Sequence, residues 1–438
     1  MKICLRIITI TAVCLFCISS LFGKDNLRVL VYPFENHGNE HYSWIASGIA
    51  DILRNNLSEI DSIGVVGEDE RLNLLSQIVQ QFGDRGDFHN AKKIAELIGA
   101  NLIVMGEYIY IGGDLQIEAK LLSAKDGNII RQIELNGSAD DIFDLQNEMT
   151  FMLFGEIESD NDNNIPAFSM NDADKSKISS IARPNLIAFQ YYSLGREIRD
   201  SRPVEAIGYA EKALKEDPSY SEAFESAGWM QGYIFNRFDV AQDYIKTAVE
   251  LTPSSRKRRL ARLYKLAGDI YDFEGDIDSA IGNFNKSRVI MEELGLNETI
   301  DYASLMMSIG VGYAVKEDAD NAIKFYEKSR AIMDSRSLEM TSGYAGLLMN
   351  FGTAYVIKED YKNAMLFFDK SRSVFEAIGL DKTSGYSHLL YNLAFSHRQL
   401  GNKQTAGKYY RMAHTIYSSV GEENWAQTAL NQAKRLGY

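Results

Sequence analysis

The chain has 438 residues, and its 46 Lys plus Arg stand against 60 Asp plus Glu for a formal charge of −14. Hydrophobic residues make up 45% and charged residues 24%, proportions that exclude wholesale disorder. So acidic a chain is a poor polyanion binder unless a basic face is segregated, and no nucleic-acid partner is expected.

The N-terminus reads as an export signal. Met1–Arg6 carries Lys2 and Arg6 with no acid, Ile7–Phe22 is uncharged and mostly apolar, and Gly23 precedes the polar Lys24-Asp25-Asn26. These are the charged, apolar and polar regions of a secretory signal peptide, assigned to residues 1–23 with cleavage near Gly23. The apolar run falls short of the ~20 residues that span a bilayer. All three cysteines, Cys4, Cys14 and Cys17, lie in this segment. Val13 and Phe16 precede two of them where a lipoprotein needs a small residue, so lipidation is the less favoured reading. A thiol-free body excludes disulfides, thiolate zinc and cysteine nucleophiles there, and it suits an oxidising compartment. The expected address is the periplasm of a double-membrane bacterium, with at most peripheral membrane contact.

Residues 27–155 predict an α+β domain, a small mixed sheet with helices. Leu27–Phe34 is a β-rich run ended by a proline, Pro33. Ile45, Ile49, Ile52, Leu53 and Leu57 recur at helical spacing, which predicts a helix over 42–58. A short strand over 62–66 follows, then helices over 70–82 and 88–98. The period then switches to two: strands over 102–111, 115–121 and 129–135 are separated by Gly112-Gly113-Asp114 and Lys125-Asp126-Gly127-Asn128 turns. A helix over 142–154 closes the domain. Residues 156–184 are rich in Asp, Asn and Ser without periodicity and predict a flexible linker.

From 185 onward the chain repeats. Gly268, Tyr271, Ala280, Phe284 and Ser287 are followed at steps of 42 by Gly310, Tyr313, Ala322, Tyr326, Ser329, then by Gly352, Tyr355, Ala364, Phe368, Ser371, then by Ala394, His397, Ala406, Tyr410, Ala413. Two shorter copies precede them, ending at Pro218 and Pro253. Small residues let paired helices approach and aromatics fill the space beside them, so the pattern predicts an all-α solenoid of six helical hairpins over 185–420. A last amphipathic helix within 422–438 is expected to cap it.

These motifs resemble two known families. The five-position register resembles the tetratricopeptide repeat, and its 42-residue form resembles the long repeats of kinesin light chains and bacterial Rap-type regulators. Val29–Asn36, Gly48–Leu53, Ala95–Gly106, Ala124–Gly127 and Asp141–Gln146, in that order, resemble the N-terminal domain of TolB-like, FlgO-like and CsgG-like envelope proteins. Those resemblances imply a non-enzymatic scaffold or adaptor in the bacterial cell envelope, holding a protein or peptide partner in the repeat groove. The alternative is an oligomeric accessory of an envelope machine such as a flagellar or secretion assembly. The oligomeric state is left open. Counting from the small residue of each copy, the groove candidates are Met307, Met349, Asn350, Thr353, Tyr391, Asn392 and Phe395, with Val311 beside them. The resemblance to long-repeat proteins implies that Asn350 and Asn392 clamp a peptide backbone, for which an amide that donates and accepts is suited.

The sequence singles out no catalytic, cofactor or metal residue, and neither an enzyme nor a cofactor is expected. His37 and His41, with Glu35 and Glu40 near, read as a solvent-exposed loop without a third histidine. Gly310-x-Gly312 is read as helix packing. No Gly-Lys-Ser/Thr phosphate loop, Gly-x-Ser-x-Gly elbow or His-Glu-x-x-His occurs. The basic cluster Arg256-Lys257-Arg258-Arg259 with Arg262 and Lys265 is read as a solvated helix start, with an anionic partner as the alternative. Lys286-Ser287-Arg288, Lys328-Ser329-Arg330 and Lys370-Ser371-Arg372 are read as salt-bridging ladders between repeats, with each Ser at the packing seam.

Overall fold

Runs of β-branched residues become strands, and the 3.6-residue periods become helices, close to where the sequence places them. The computed structural model describes residues 27–438, so the assigned signal peptide and its three cysteines lie outside the described residues. The elements are β1 (Leu27–Val31), β2 (Glu35–Asn36), α1 (Trp44–Ser58), β3 (Ile63–Val65), α2 (Glu68–Phe82), α3 (Asp87–Ile98), β4 (Leu102–Ile111), β5 (Asp114–Ser123), β6 (Ile129–Ser138), α4 (Ile142–Phe154), β7 (Glu156–Ile157), β8 (Phe168–Ser169) and α5 (Asp172–Ser179). The repeats follow as α6 (Leu186–Ile198), α7 (Pro203–Glu216), α8 (Ser221–Trp229), α9 (Phe238–Leu251), α10 (Lys257–Glu274), α11 (Ile277–Glu293), α12 (Ile300–Val315), α13 (Ala319–Ser335), α14 (Ser342–Ile357), α15 (Tyr361–Ala377), α16 (Ser384–Gln399), α17 (Lys403–Ser419) and α18 (Glu423–Arg435). The fold is thus an α+β N-terminal part followed by tetratricopeptide-type helical hairpins. Among the described residues no helix is long and apolar enough to cross a membrane.

Two compact units are present among the described residues: one holds residues 27–67 together with Ala100–Thr299, the other Glu68–Gly99 together with Ile300–Tyr438. In the first, the sheet runs β3-β1-β4-β5-β6, with β2 also paired to β4. The pairs β1/β3, β1/β4 and β2/β4 are parallel, and β4-β5-β6 is an antiparallel meander. All five residues of β1 are buried, as expected of a parallel strand covered on both faces. Gly112 and Gly113, at φ 65° and 101°, form the two-residue turn that joins Ile111 to its partner Asp114. Gly106 is required for a different reason. A Cβ there would stand 2.3 Å from the Phe34 ring and 2.4 Å from the Glu118 carbonyl, so Phe34, between β1 and β2, reaches the core only across a residue with no side chain.

The segment expected to be a flexible linker is instead folded. β7 pairs with β8 in an antiparallel hairpin, and Asn171 and Asp174 close a capping box on α5. Ile157, Ile165, Phe168, Met170 and Ile178 join the same core as β1, α1 and α4. These five apolar residues are too sparse to give a period, so local composition hides what they do together. The expected boundary before residue 185 also dissolves, because Ala188, Phe189 and Tyr192 of α6 enter that core. Phe189 meets Trp44 edge-on at 6.1 Å and Phe143 at 5.0 Å. The sheet domain and the first hairpin therefore share one hydrophobic core rather than folding as separate bodies.

Each hairpin is built by the register seen in the sequence. A Cβ on Gly268, Gly310 or Gly352 would lie 2.5, 2.5 or 2.3 Å from the ring of Phe284, Tyr326 or Phe368 on the paired helix. Asp276, Asp318 and Asp360 cap the second helices by accepting from the backbone N–H of Ser279, Asn321 and Asn363, respectively. In the four 42-residue copies a left-handed residue follows the first helix: Gly275 has φ 92° and Gly401 φ 82°, but Glu317 and Glu359 hold 63° and 57°. A side chain is strained there. Glu359→Gly is therefore expected to stabilise the protein by about 0.5–1 kcal/mol, the strain relief less the extra unfolded-state entropy of glycine. A lower melting temperature for this variant would show that the glutamate side chain outweighs its backbone cost.

Candidate functional site

The groove candidates fall on α12 (Met307), α14 (Met349, Asn350, Thr353) and α16 (Tyr391, Asn392, Phe395), the first helices of three successive hairpins. All seven are buried, at 0 to 7% exposure, and so is Val311. They do not present the open surface that a groove reading expects. Met307 and Val311 belong to a core cluster with Phe351 and Tyr326. The Thr353 hydroxyl donates to the Met349 carbonyl at 3.1 Å within its own helix. Tyr391 packs against Tyr410 at 5.1 Å and Trp425 of α18 at 5.9 Å, and Phe395 faces Tyr361 at 6.4 Å. The helices α12 and α14 are apolar over nearly their whole circumference, so neighbouring helices cover them on most sides.

The seam serines sit as the register demands. Ser287, Ser329 and Ser371 are buried, and the Ser371 hydroxyl donates to the Ala345 carbonyl at 2.7 Å, tying α15 to α14. The flanking cations do something other than salt-bridge between repeats. Lys286, Lys328 and Lys370 lie 5.3, 5.5 and 5.6 Å from the ring centres of Tyr264, Phe325 and Phe367. Arg330 crosses to Phe351 of the next hairpin at 5.1 Å, and Arg372 reaches Tyr409 of the next hairpin, both as ring contact and through the phenol oxygen. The carboxylates these arginines meet are on their own helices: Glu292 for Arg288, and Asp369 and Glu376 for Arg372. Aromatic faces thus replace the expected acidic partners, at about 0.5–1 kcal/mol each where exposed.

The basic cluster is not a solvated helix start. Arg258 and Arg259 are buried. Arg256 pairs with Glu59 at 2.6 Å and Glu222 at 3.4 Å, and Arg258 pairs with Asp61 at 2.9 Å while donating to the Ile60 and Asp61 carbonyls. Arg259 meets Glu222 at 3.3 Å and Glu225 at 3.0 Å, and Arg262 meets Glu225 at 3.6 Å. Lys257 finds Glu293, and Lys265 finds Asp269 on its own helix. Every cation of the cluster is matched, so it offers no free patch to an anion. Its role is to clamp the start of α10 onto the end of α1 and the segment after it. Burial alone would raise the Glu225 pKa, but the guanidiniums of Arg262, Arg259 and Arg196 overcome this and hold it below the ordinary carboxylate value.

Histidine placement differs from the sequence reading in one respect. His41 turns its ring edge-on to Tyr42 at 5.2 Å and takes no part in a cluster with His37. His37 instead meets Glu107 of β4, its Nε2 3.0 Å from Oε2, with Glu35 Oε2 4.0 Å away. Glu107 carried no signal in the sequence, because only strand register brings it there. A second missed feature was legible: Thr341 and Thr383 recur at 42, cap α14 and α16, and donate to the carbonyls of the buried Leu338 and Leu380 in the connectors.

No protein-family model matches the chain, and no curated protein matches it. Among solved structures, the Cut9–Hcn1 hetero-tetramer of the APC/C is similar at a TM-score of 0.43 and 17% identity over 56% of this chain. This chain spans only 42% of that one. PilW, described as a widely conserved type IV pilus biogenesis factor, is similar at 0.43 and 17%, covering 56% of this chain and 99% of its own. The apo form of RapI is similar at 0.42 and 15%, covering 57% and 97%. Likeness at this level carries no argument about function. The class rests on the chain's own geometry: repeated antiparallel helix pairs with a small residue facing an aromatic at fixed register, the tetratricopeptide-type hairpin.

Proposed function

We propose that the protein is a non-enzymatic protein–protein interaction scaffold or adaptor of the bacterial cell envelope. It is exported by its N-terminal signal to the periplasm, and a TolB-like domain is joined to the repeat array. The carrying observation is that array: regular hairpins in one register build extended surface from stacked units and need no reactive group. The ordered motifs Val29–Asn36, Gly48–Leu53, Ala95–Gly106, Ala124–Gly127 and Asp141–Gln146 support the TolB-like reading. The charged-then-apolar start supports export. Fractionation with N-terminal sequencing tests the address, and a chain beginning at Met1 in the cytosol defeats it. Crosslinking and affinity capture from the native envelope test the scaffold role.

Asn350 and Asn392 are proposed as part of a partner-binding wall, and their burial sets the terms of the test. Replacing both with Ala is expected to weaken partner affinity by about tenfold to a hundredfold while the melting temperature barely changes. A melting temperature lowered by several degrees with affinity unchanged defeats the clamp and assigns both amides to packing. The oligomeric-accessory reading is favoured by one observation. β6 is an edge strand with no neighbour on its outer side among the described residues, and Ile129 and Ile130 are exposed at its start. Light scattering on the purified chain separates the two readings.

A further inference from the structure

We propose that Glu35, His37 and Glu107 form a binding site for one divalent transition cation of the zinc type. Strand register makes the site. Glu35 of β2 is the direct parallel partner of Glu107 of β4. His37 lies two residues beyond Glu35, so its side chain returns to the same face. The three donor atoms lie within 4.8 Å of one another. The His37 Nε2 is 3.0 Å from one carboxylate and 4.0 Å from the other. Donors held at the ~2.0–2.2 Å of zinc–nitrogen and zinc–oxygen bonds in a tetrahedral shell stand about 3.3–3.6 Å apart. The observed spacings bracket that value, so an ion enters with only small side-chain adjustments.

The backbone beneath the site is held in place. The His37 N–H donates to the Tyr108 carbonyl at 2.9 Å. The Asn36 side chain accepts from the Gly38 N–H at 2.8 Å and donates to the Asn39 carbonyl at 3.2 Å, and Asn39 in turn accepts from the His41 N–H at 2.9 Å. The turn after β2 is therefore braced by its own hydrogen bonds, which fixes where the imidazole starts.

Electrostatics favours a dication. Two carboxylates directly opposite on neighbouring strands repel. A divalent ion bound between them neutralises both. One imidazole with two carboxylates suits zinc, cobalt, nickel or manganese rather than the all-oxygen shells of magnesium and calcium. All three side chains are about half exposed or more, so remaining coordination positions open to solvent. Among the described residues no other group of three His, Cys, Asp or Glu side chains converges this closely.

The test is titration of the full chain, purified without a histidine tag, with Zn²⁺ by calorimetry and with Co²⁺ by visible absorption. One equivalent with a micromolar dissociation constant is expected, with a cobalt spectrum of nitrogen–oxygen ligation. His37→Ala and Glu107→Gln should each weaken binding by about tenfold or more, while His41→Ala should leave it unchanged. Millimolar Mg²⁺ or Ca²⁺ should not compete. Saturable binding that survives both His37→Ala and Glu107→Gln, or no saturable binding by the unaltered chain, overturns the site and leaves an exposed histidine–glutamate ion pair. Because these side chains are exposed, the variants should fold, and a circular dichroism melt of each confirms that a lost signal is lost binding. The site stands apart from the scaffold reading, which neither outcome affects.

Discussion

Replacing Arg259 with Ala is expected to destabilise the protein by about 3–5 kcal/mol, because the change leaves buried carboxylates without their counter-charge. The guanidinium is almost fully enclosed, with 1% of its side chain exposed. Its Nη1 lies 3.3 Å from Glu222 and 3.0 Å from Glu225, and Nη2 donates to the Ser221 hydroxyl at 2.9 Å. The pH dependence has a definite sign. Glu225 is held below its unfolded value, so its contribution is present above the ordinary glutamate pKa and is lost as pH falls through the depressed one. Arg259→Ala removes part of that depression. The acid-unfolding midpoint should therefore move to higher pH. Urea titrations across pH 3–8 measure both effects, and a loss under ~1 kcal/mol at neutral pH would mean that Arg256 suffices for Glu222, and Arg262 with Arg196 for Glu225.

Phe368→Ala is expected to cost about 3–5 kcal/mol, the range for emptying a fully buried aromatic site. Phe368 is wholly buried and sits where the Gly352 side chain would be. Gly352→Ala alone should cost about 1–3 kcal/mol by overpacking against the ring. The double variant should cost clearly less than the sum, since the new methyl enters space the ring has vacated. Additive losses would show that the two positions do not share one volume. The same cycle applies to Gly310 with Tyr326.

The repeat hairpins were legible because their determinants are local. A small residue, an aromatic three residues on and an alanine opposite them lie within one helix–turn–helix, so spacing alone predicts which atoms meet. The meander was legible for the same reason: Gly112-Gly113 and Gly127 set the turns, and strict alternation over 115–121 set the buried face. The groove candidates fall on the first helices of their hairpins, as the spacing predicts, and all seven are buried there. Spacing identifies a helix face, whereas burial depends on what packs against it.

What the sequence by itself determined is therefore the order of elements, the register of each hairpin and the turns between adjacent strands, all set by interactions within a few dozen residues. Tertiary structure alone decided the rest. Arg256 looked solvated until Glu59, 197 residues away, was brought to it. His37 lacked a third ligand until β2 and β4 paired and placed Glu107, 70 residues on, within hydrogen-bonding distance. The segment 156–184 looked too polar to order because its five apolar anchors gain nothing from one another along the chain. They are stabilised only by a core assembled from β1, α1, α4 and α6, and burial against such distant partners leaves no periodic trace in the sequence.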